Sequence, residues 1–191
     1  RITFTGDLSY EINVPPSYGL HVWRAFMQAG EKYGITPYGT EALHVLRAEK
    51  GFIIVGQDTD GTMTPGDLGM DWIVAKSKPD FIGRRSMLRS DTKRPDRKHL
   101  VGLLTADPST VIPDGAQIVE HVKDRPPMTM LGHVTSSYWS PNIDRSIAMG
   151  VVKNGRNRMG QTLYVPMPNG TIELEVTGMV FVDEKGERLN G

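Results

Sequence analysis

The sequence predicts an α+β chain. A mixed α/β layer over residues 1–92 precedes a small antiparallel β-barrel or sandwich over residues 98–191. Three observations predict it. Between Ser17 and Gly51 apolar residues recur at helical spacing, whereas beyond residue 98 the chain breaks into short β-rich runs. Those runs are punctuated by Pro and Gly, as in small all-β units. Between the two textures lies Ser90 to Lys98, which has no apolar side chain, contains Pro95 and reads as a linker.

The elements follow in order. Ile2, Phe4, Tyr10, Ile12 and Val14 recur at period two around Gly6-Asp7, predicting strand, tight turn, strand over residues 1–14. Pro15-Pro16-Ser17 stops the strand, and Ser17 is placed to cap a helix. Leu20, Trp23, Phe26 and Met27 form one helical face, and Gly30 or Gly34 ends that helix. A second helix starts near Thr40 with Gly51 as its C′ residue. Phe52 to Val55 is a short buried strand candidate, residues 56–67 are a polar loop, and Gly83 to Leu88 a short helix. Strands are expected at Leu100–Leu104, Gln117–Val122, Gly132–Thr135, Ile147–Val152, Thr162–Val165 and Ile172–Val182.

Composition excludes several classes. Lys+Arg and Asp+Glu are both 22, so the chain lacks the basic balance of a dedicated nucleic-acid binder. With no cysteine there is no disulfide, thiolate metal site or Cys nucleophile, which fits the cytoplasm better than a disulfide-stapled secreted fold. No apolar run approaches the roughly 20 residues that span a bilayer. The chain opens on a strand pattern without Met and reads as a piece of a longer polypeptide.

Local motifs point weakly. None of the five histidines has metal-ligand spacing with another, and HExxH is absent. Asp58, Asp60 and Asp67 suggest a calcium loop, but Gly and Glu are missing from the positions an EF-hand requires. No phosphate-binding glycine loop and no GxSxG occurs. The basic run Lys93, Arg94, Arg97, Lys98 reads as solvated linker, and Arg84-Arg85 open a helix where cations are disfavoured. Glu11 is the more informative acid. If Tyr10 and Ile12 point inward, Glu11 faces the other side. It is then either an exposed acid or a carboxylate taking two parallel hydrogen bonds from a pterin, guanine or guanidinium edge.

Three stretches together resemble the aminomethyltransferase (glycine-cleavage T-protein) family. Phe4-Thr5-Gly6-Asp7-Leu8-Ser9-Tyr10-Glu11 is similar to its Tyr-Thr-Gly-Glu-x-Gly-Tyr-Glu signature. Gly39 to Gly51, with Leu46-Arg47-Ala48-Glu49, is similar to its Leu-Arg-x-Glu helix. Gly132 to Ser137, Ser140-Pro141 and Ile147 to Gly150 resemble the pattern of its C-terminal barrel. Within that family the wording Phe-Thr-Gly-x-Leu-Ser-Tyr-Glu and Gly-Thr-Glu-Ala-Leu-His-Val looks most like the C-terminal, folate-binding region of the alpha subunits of heterotetrameric sarcosine oxidases.

The resemblance implies an aminomethyltransferase-like folate-binding segment over residues 1–92 and the family's barrel over residues 98–191. It implies that Glu11 holds the pterin ring of tetrahydrofolate, that Phe4 stacks on it without the family's tyrosine hydroxyl, and that Phe52 lies near it. Leu43 stands where aminomethyltransferases carry a folate-contacting Arg. Arg47 and Glu49 are read as helix and inter-element structure. The family's essential Asp lies upstream, so no catalytic residue and no metal ligand is assigned in this chain. The complete enzyme is expected to oxidise sarcosine at a flavin and pass the imine to tetrahydrofolate, giving 5,10-methylenetetrahydrofolate. FMN, FAD and NAD are expected elsewhere in the complex. The expected partners are the rest of the alpha subunit, the other subunits and folate, with no nucleic acid and no membrane. Three rivals stand beside it: a glycine-cleavage aminomethyltransferase, disfavoured by Leu43, a non-catalytic folate-binding scaffold, and a purely structural domain that has lost folate binding. An exposed apolar patch on the first half is also expected.

Overall fold

A computed structural model describes residues 3–190. Its second half is built from β1 (Lys98–Thr105), β2 (Gln117–Val119), β3 (Met130–Ser140), β4 (Arg145–Lys153), β5 (Thr162–Met167) and β6 (Gly170–Thr177). They close into one barrel in the order β1-β4-β3-β2-β5-β6, and every neighbouring pair is antiparallel. Closure removes the exposed edges that an open sheet would carry. The fold class is therefore α+β with an antiparallel barrel, and the barrel replaces the sandwich alternative.

Strand alternation sets the core. Val101 and Leu103, Ala148 and Val152, Leu163 and Val165, Leu174 and Val176 point inward and meet Ile118 and Val134 in the barrel interior. Each such burial contributes roughly 1.5–3 kcal/mol. The alternate residues Leu100, Ile147, Met149 and Val151 face outward yet are buried, packed in one cluster with Ala48 and Leu68 of the first half. The second cluster is the joint between the halves, and it explains why Ile147 to Val152 reads as an unbroken apolar run. β3 extends past its expected end through the polar Ser136 to Ser140, because its outer face meets polar partners from the first half. β2 and β6 are shorter than expected, stopping at Val119 and Thr177.

The first half holds α1 (Gly19–Gly30), α2 (Thr40–Glu49) and α3 (Arg84–Met87), with single 3-10 turns at Pro16–Tyr18, Glu31–Tyr33 and Asp71–Ile73. Ser17 caps nothing; it lies inside the 3-10 turn that leads into α1. The turn after α1 closes on Gly34 at φ 72°, and α2 ends through Lys50 into Gly51 at φ 70°. Gly51 serves a second need: a Cβ there would lie 2.7 Å from the Met179 carbonyl.

The strands expected in this half do not form. Ile2 lies outside the described residues, and residues 3–15 are irregular although Gly6 does turn the chain at φ 88°. Phe52 to Val55 is also irregular. A strand needs a hydrogen-bonded neighbour, and none lies beside either segment among the described residues. Tyr10 and Ile12 consequently point to solvent. Of the 22 large hydrophobic residues exposed among the described residues, sixteen precede residue 92, including Leu20, Trp23 and Phe26 along one side of α1. The expected apolar patch is present.

The segment from Ser90 to Lys98 is not a solvated linker. Arg97 is held by Asp67 and Asp91, and Leu100 N–H donates to the Asp67 carbonyl at 2.9 Å. Lys93 and Arg94 are exposed, and Lys98 opens β1.

Candidate functional site: an aromatic cleft seated on a buried polar network

Two of the three residues singled out from the sequence come together. Phe4 and Phe52 line one open cleft of about 430 Å³, with Ile53, Met70, Trp72 and Met179 among its other walls. Trp72 is 77% exposed and stands at its rim. Glu11 is not among the lining residues; it sits in the exposed irregular segment beyond Tyr10.

Both phenylalanines are positioned from α2. At Phe52 the chain leaves α2 through the left-handed Gly51, and the Phe52 carbonyl accepts a hydrogen bond from Arg47 Nη1 at 3.1 Å. The Phe4 segment is held by the turn at Gly6, which lies against the Lys50 stem so closely that a Cβ would meet it at 2.8 Å. Lys50 Nζ in turn donates to the carbonyl and carboxylate of Asp183, and Leu8 N–H donates to the Arg188 carbonyl at 3.1 Å. The C-terminal turn thus clamps the N-terminal signature.

Beneath the cleft lies a buried polar network that sequence reasoning missed. Arg47 and Asp58 are both fully buried and pair at 2.5 Å. Asp58 also accepts from Ile54 N–H at 2.9 Å and from the Thr135 and Ser136 hydroxyls, each at 2.7 Å. Arg47 Nη2 donates to Ser136 Oγ at 2.7 Å, and its guanidinium lies 5.7 Å from the Tyr138 ring centre. The carboxylate therefore has a full set of donors, the condition under which a buried ion pair is tolerable. Two residues on, the buried Glu49 accepts from Ser140 Oγ and Asn142 Nδ2, while its carbonyl accepts from Phe181 and Val182 N–H. Arg47 and Glu49 dock α2 onto β3 and the C-terminal segment, as the reading of them as inter-element structure implied. The sequence points to Arg47 through its Leu-Arg-x-Glu helix, but Asp58 reads as loop because nothing local links it to Thr135, 77 positions away.

The loop acids are committed within the protein. Asp58 is paired with Arg47, Asp60 accepts from the Thr62 amide and hydroxyl, and Asp67 accepts from Arg97 and Thr64. No group of three or more His, Cys, Asp or Glu able to hold a metal ion occurs among the described residues. Burial alone would raise the Asp67 carboxyl, but the Arg97 guanidinium and the Thr64 amide and hydroxyl outweigh it and hold it below the ordinary carboxylate value.

These environments predict a two-step acid response. Burial pushes the His99 and His133 imidazoles below the ordinary value of 6.5, helped by the cations Arg156 and Lys98 respectively. A folded imidazole with a lowered pKa binds fewer protons than the unfolded one, so stability falls as pH drops below about 6.5. The Asp67 contribution is present above its unfolded value and is lost as pH falls through the lower folded one. Urea midpoints should decline once between about pH 7 and 5 and again below about pH 4. His99→Gln with His133→Gln should flatten the first step alone; a midpoint level from pH 7 to 5 in the unaltered chain would contradict this account.

Two family models match successive parts of the chain. The family model for the GCVT N-terminal domain matches residues 1–78, and that for the glycine cleavage T-protein C-terminal barrel domain matches residues 98–183. The chain belongs to the glycine cleavage T-protein family. Within the family, this chain is 48% identical to sarcosine oxidase subunit alpha of Corynebacterium sp. (strain U-96) over 193 aligned positions, covering all of this chain and 20% of that one. The corresponding subunit of Rhizobium meliloti (strain 1021) is 38% identical, again over all of this chain and 19% of its own length. An aminomethyltransferase of Halothermothrix orenii is 33% identical over 95% of this chain and 49% of its own. The crystal structure of glycine cleavage system aminomethyltransferase T from Bartonella henselae superposes with a TM-score of 0.82 at 26% identity, covering 95% of this chain and 48% of that one. The chain thus spans about a fifth of the oxidase subunits and about half of the aminomethyltransferases it matches. No helix among the described residues is long and apolar enough to cross a membrane.

Proposed function

We propose that this chain is the tetrahydrofolate-binding portion of a sarcosine oxidase alpha subunit. In this reading residues 1–92 are the C-terminal part of the folate-binding domain and residues 98–191 its barrel. The observation that carries the reading is the shared cleft of Phe4 and Phe52, two aromatic positions 48 residues apart that the family resemblance assigned to the same ligand. The cleft suits a flat heteroaromatic ring: aromatic faces for stacking, with Trp72 at the rim. Tetrahydrofolate, when bound, supplies the nitrogens that take up a one-carbon unit. The chain's own residues bind and orient it. Phe4 and Phe52 offer stacking surface, and Glu11, unpaired among the described residues, offers two acceptor oxygens to the amino edge of the ring. Arg47 and Lys50 act at one remove by fixing the Phe52 and Phe4 segments.

The greater identity to oxidase alpha subunits, 48% against 33% for an aminomethyltransferase, supports this reading over a glycine-cleavage enzyme. Leu43 in place of the aminomethyltransferase Arg supports it too. In this reading the flavins and NAD belong to other parts of a cytoplasmic assembly. Sarcosine labelled with ¹³C in its methyl group tests the proposal in the full complex. Label should appear in 5,10-methylenetetrahydrofolate when tetrahydrofolate is present and in formaldehyde when it is not. Label in formaldehyde under both conditions would refute the reading. The 191-residue chain alone should turn over no sarcosine.

A further inference from the structure

We propose that residues 73–93 form a docking face for an acidic surface on another subunit of the oxidase assembly, an inference that rests on the function proposed above. The chain is electrically neutral as a whole, yet residues 76–98 hold nine Lys and Arg against three acids. That is a local excess of six positive charges, balanced by an equal negative excess over the rest of the chain. Arg94, Arg97 and Lys153 take up Asp91 and Asp96. Among the described residues Lys76, Lys78, Arg84, Arg85, Arg89 and Lys93 have no acidic partner, and all six are exposed.

These cations flank an apolar cleft in the chain: Lys78 lines it, Arg84 follows its lining residue Gly83 and donates to the Pro79 carbonyl, and Lys76, Arg85 and Arg89 lie within two residues of lining residues. An open cleft of about 420 Å³ is lined by Ile73, Lys78, Phe81, Ile82 and Met87. Ile82 stands completely exposed at the turn made by Gly83 (φ 95°), and Leu88, at the end of α3, is 55% exposed. An apolar centre inside a charged rim is the anatomy of an interface between separately folded chains. The other exposed face of the molecule differs in kind. Around α1, Tyr10, Ile12, Leu20, Trp23 and Phe26 share their surface with few charges, as a core surface completed within one domain would. The cationic rim selects an acidic occupant, and its charges would steer that partner over about one Debye length, ~8 Å at physiological salt.

The test uses the full alpha subunit and the remaining subunits, with assembly followed by interferometry at 0.05 and 0.5 M salt. Arg85→Glu with Arg89→Glu should weaken assembly at least tenfold at low salt, with the difference shrinking at high salt. Ile82→Asp should weaken it at both. Tetrahydrofolate affinity, measured in the same samples, should stay unchanged and certifies the fold. Unaltered assembly in both variants overturns the docking face while leaving the folate reading intact. Assembly that is unaltered while duplex DNA binding at 0.15 M salt is lost overturns it in favour of a nucleic acid. An unaltered full-length subunit that forms no complex overturns it together with the oxidase reading.

Discussion

Arg47→Met should destabilise the chain by about 3–5 kcal/mol, because it leaves Asp58 buried without its cation. Both side chains are fully buried, so water cannot substitute for the lost partner. Methionine fills much of the space and adds no donor, so the loss reports the orphaned carboxylate rather than a cavity. The effect should spread. Arg47 also holds the Phe52 carbonyl and Ser136 Oγ, so the turn after α2 and its contact with β3 loosen together. Asp58→Asn should cost less in the Arg47→Met background than alone, since the two side chains form one unit. Urea unfolding of the four chains gives the coupling; additive effects would show that the pair is not the joint described here.

Gly132→Ala should cost about 3 kcal/mol or more and prevent normal closure of the barrel. A Cβ on Gly132 would lie 1.8 Å from the Val151 carbonyl oxygen and 2.9 Å from Val152 Cα. These are backbone atoms of the paired strand, where Gly132 faces Val152, so no side chain can move aside to relieve the clash. Gly178→Ala is the control: a Cβ there meets nothing within 4 Å, and the change should fall within about 0.5 kcal/mol of zero. Equal losses at the two positions, read from urea midpoints, would mean that the close approach of β3 to β4 is not what requires glycine.

The sequence revealed most where structure is set by local alternation. The six barrel strands were visible because each carries an inward apolar row bounded by Pro or Gly, and α2 because Thr40 to Gly51 contains its own stop. What failed depended on partners distant in the chain. Residues 3–14 have a strand's period, but periodicity cannot supply the neighbour that a strand must bond. Arg97 was hidden in a polar run because its acceptor Asp67 lies 30 positions away. Asp58 looked like loop because Thr135 and Ser136 come from the barrel. At the candidate site the resemblance named Phe4 and Phe52, and folding alone could bring them to one cleft. It also named Glu11, which the described residues leave outside that cleft.

Glu11 is therefore where the account is most exposed. Calorimetric titration of the full-length subunit with tetrahydrofolate, comparing the unaltered protein with Glu11→Gln, tests it most directly. The variant keeps the side-chain shape but removes the charge and turns one acceptor into a donor facing the ring's amino group. Charge-assisted hydrogen bonds contribute ~1.5–3 kcal/mol each, so affinity should fall roughly tenfold to a hundredfold while sarcosine oxidation at the flavin persists. A change of less than about twofold, roughly 0.4 kcal/mol, would return Glu11 to an ordinary exposed acid and contradict the proposed ring-binding role.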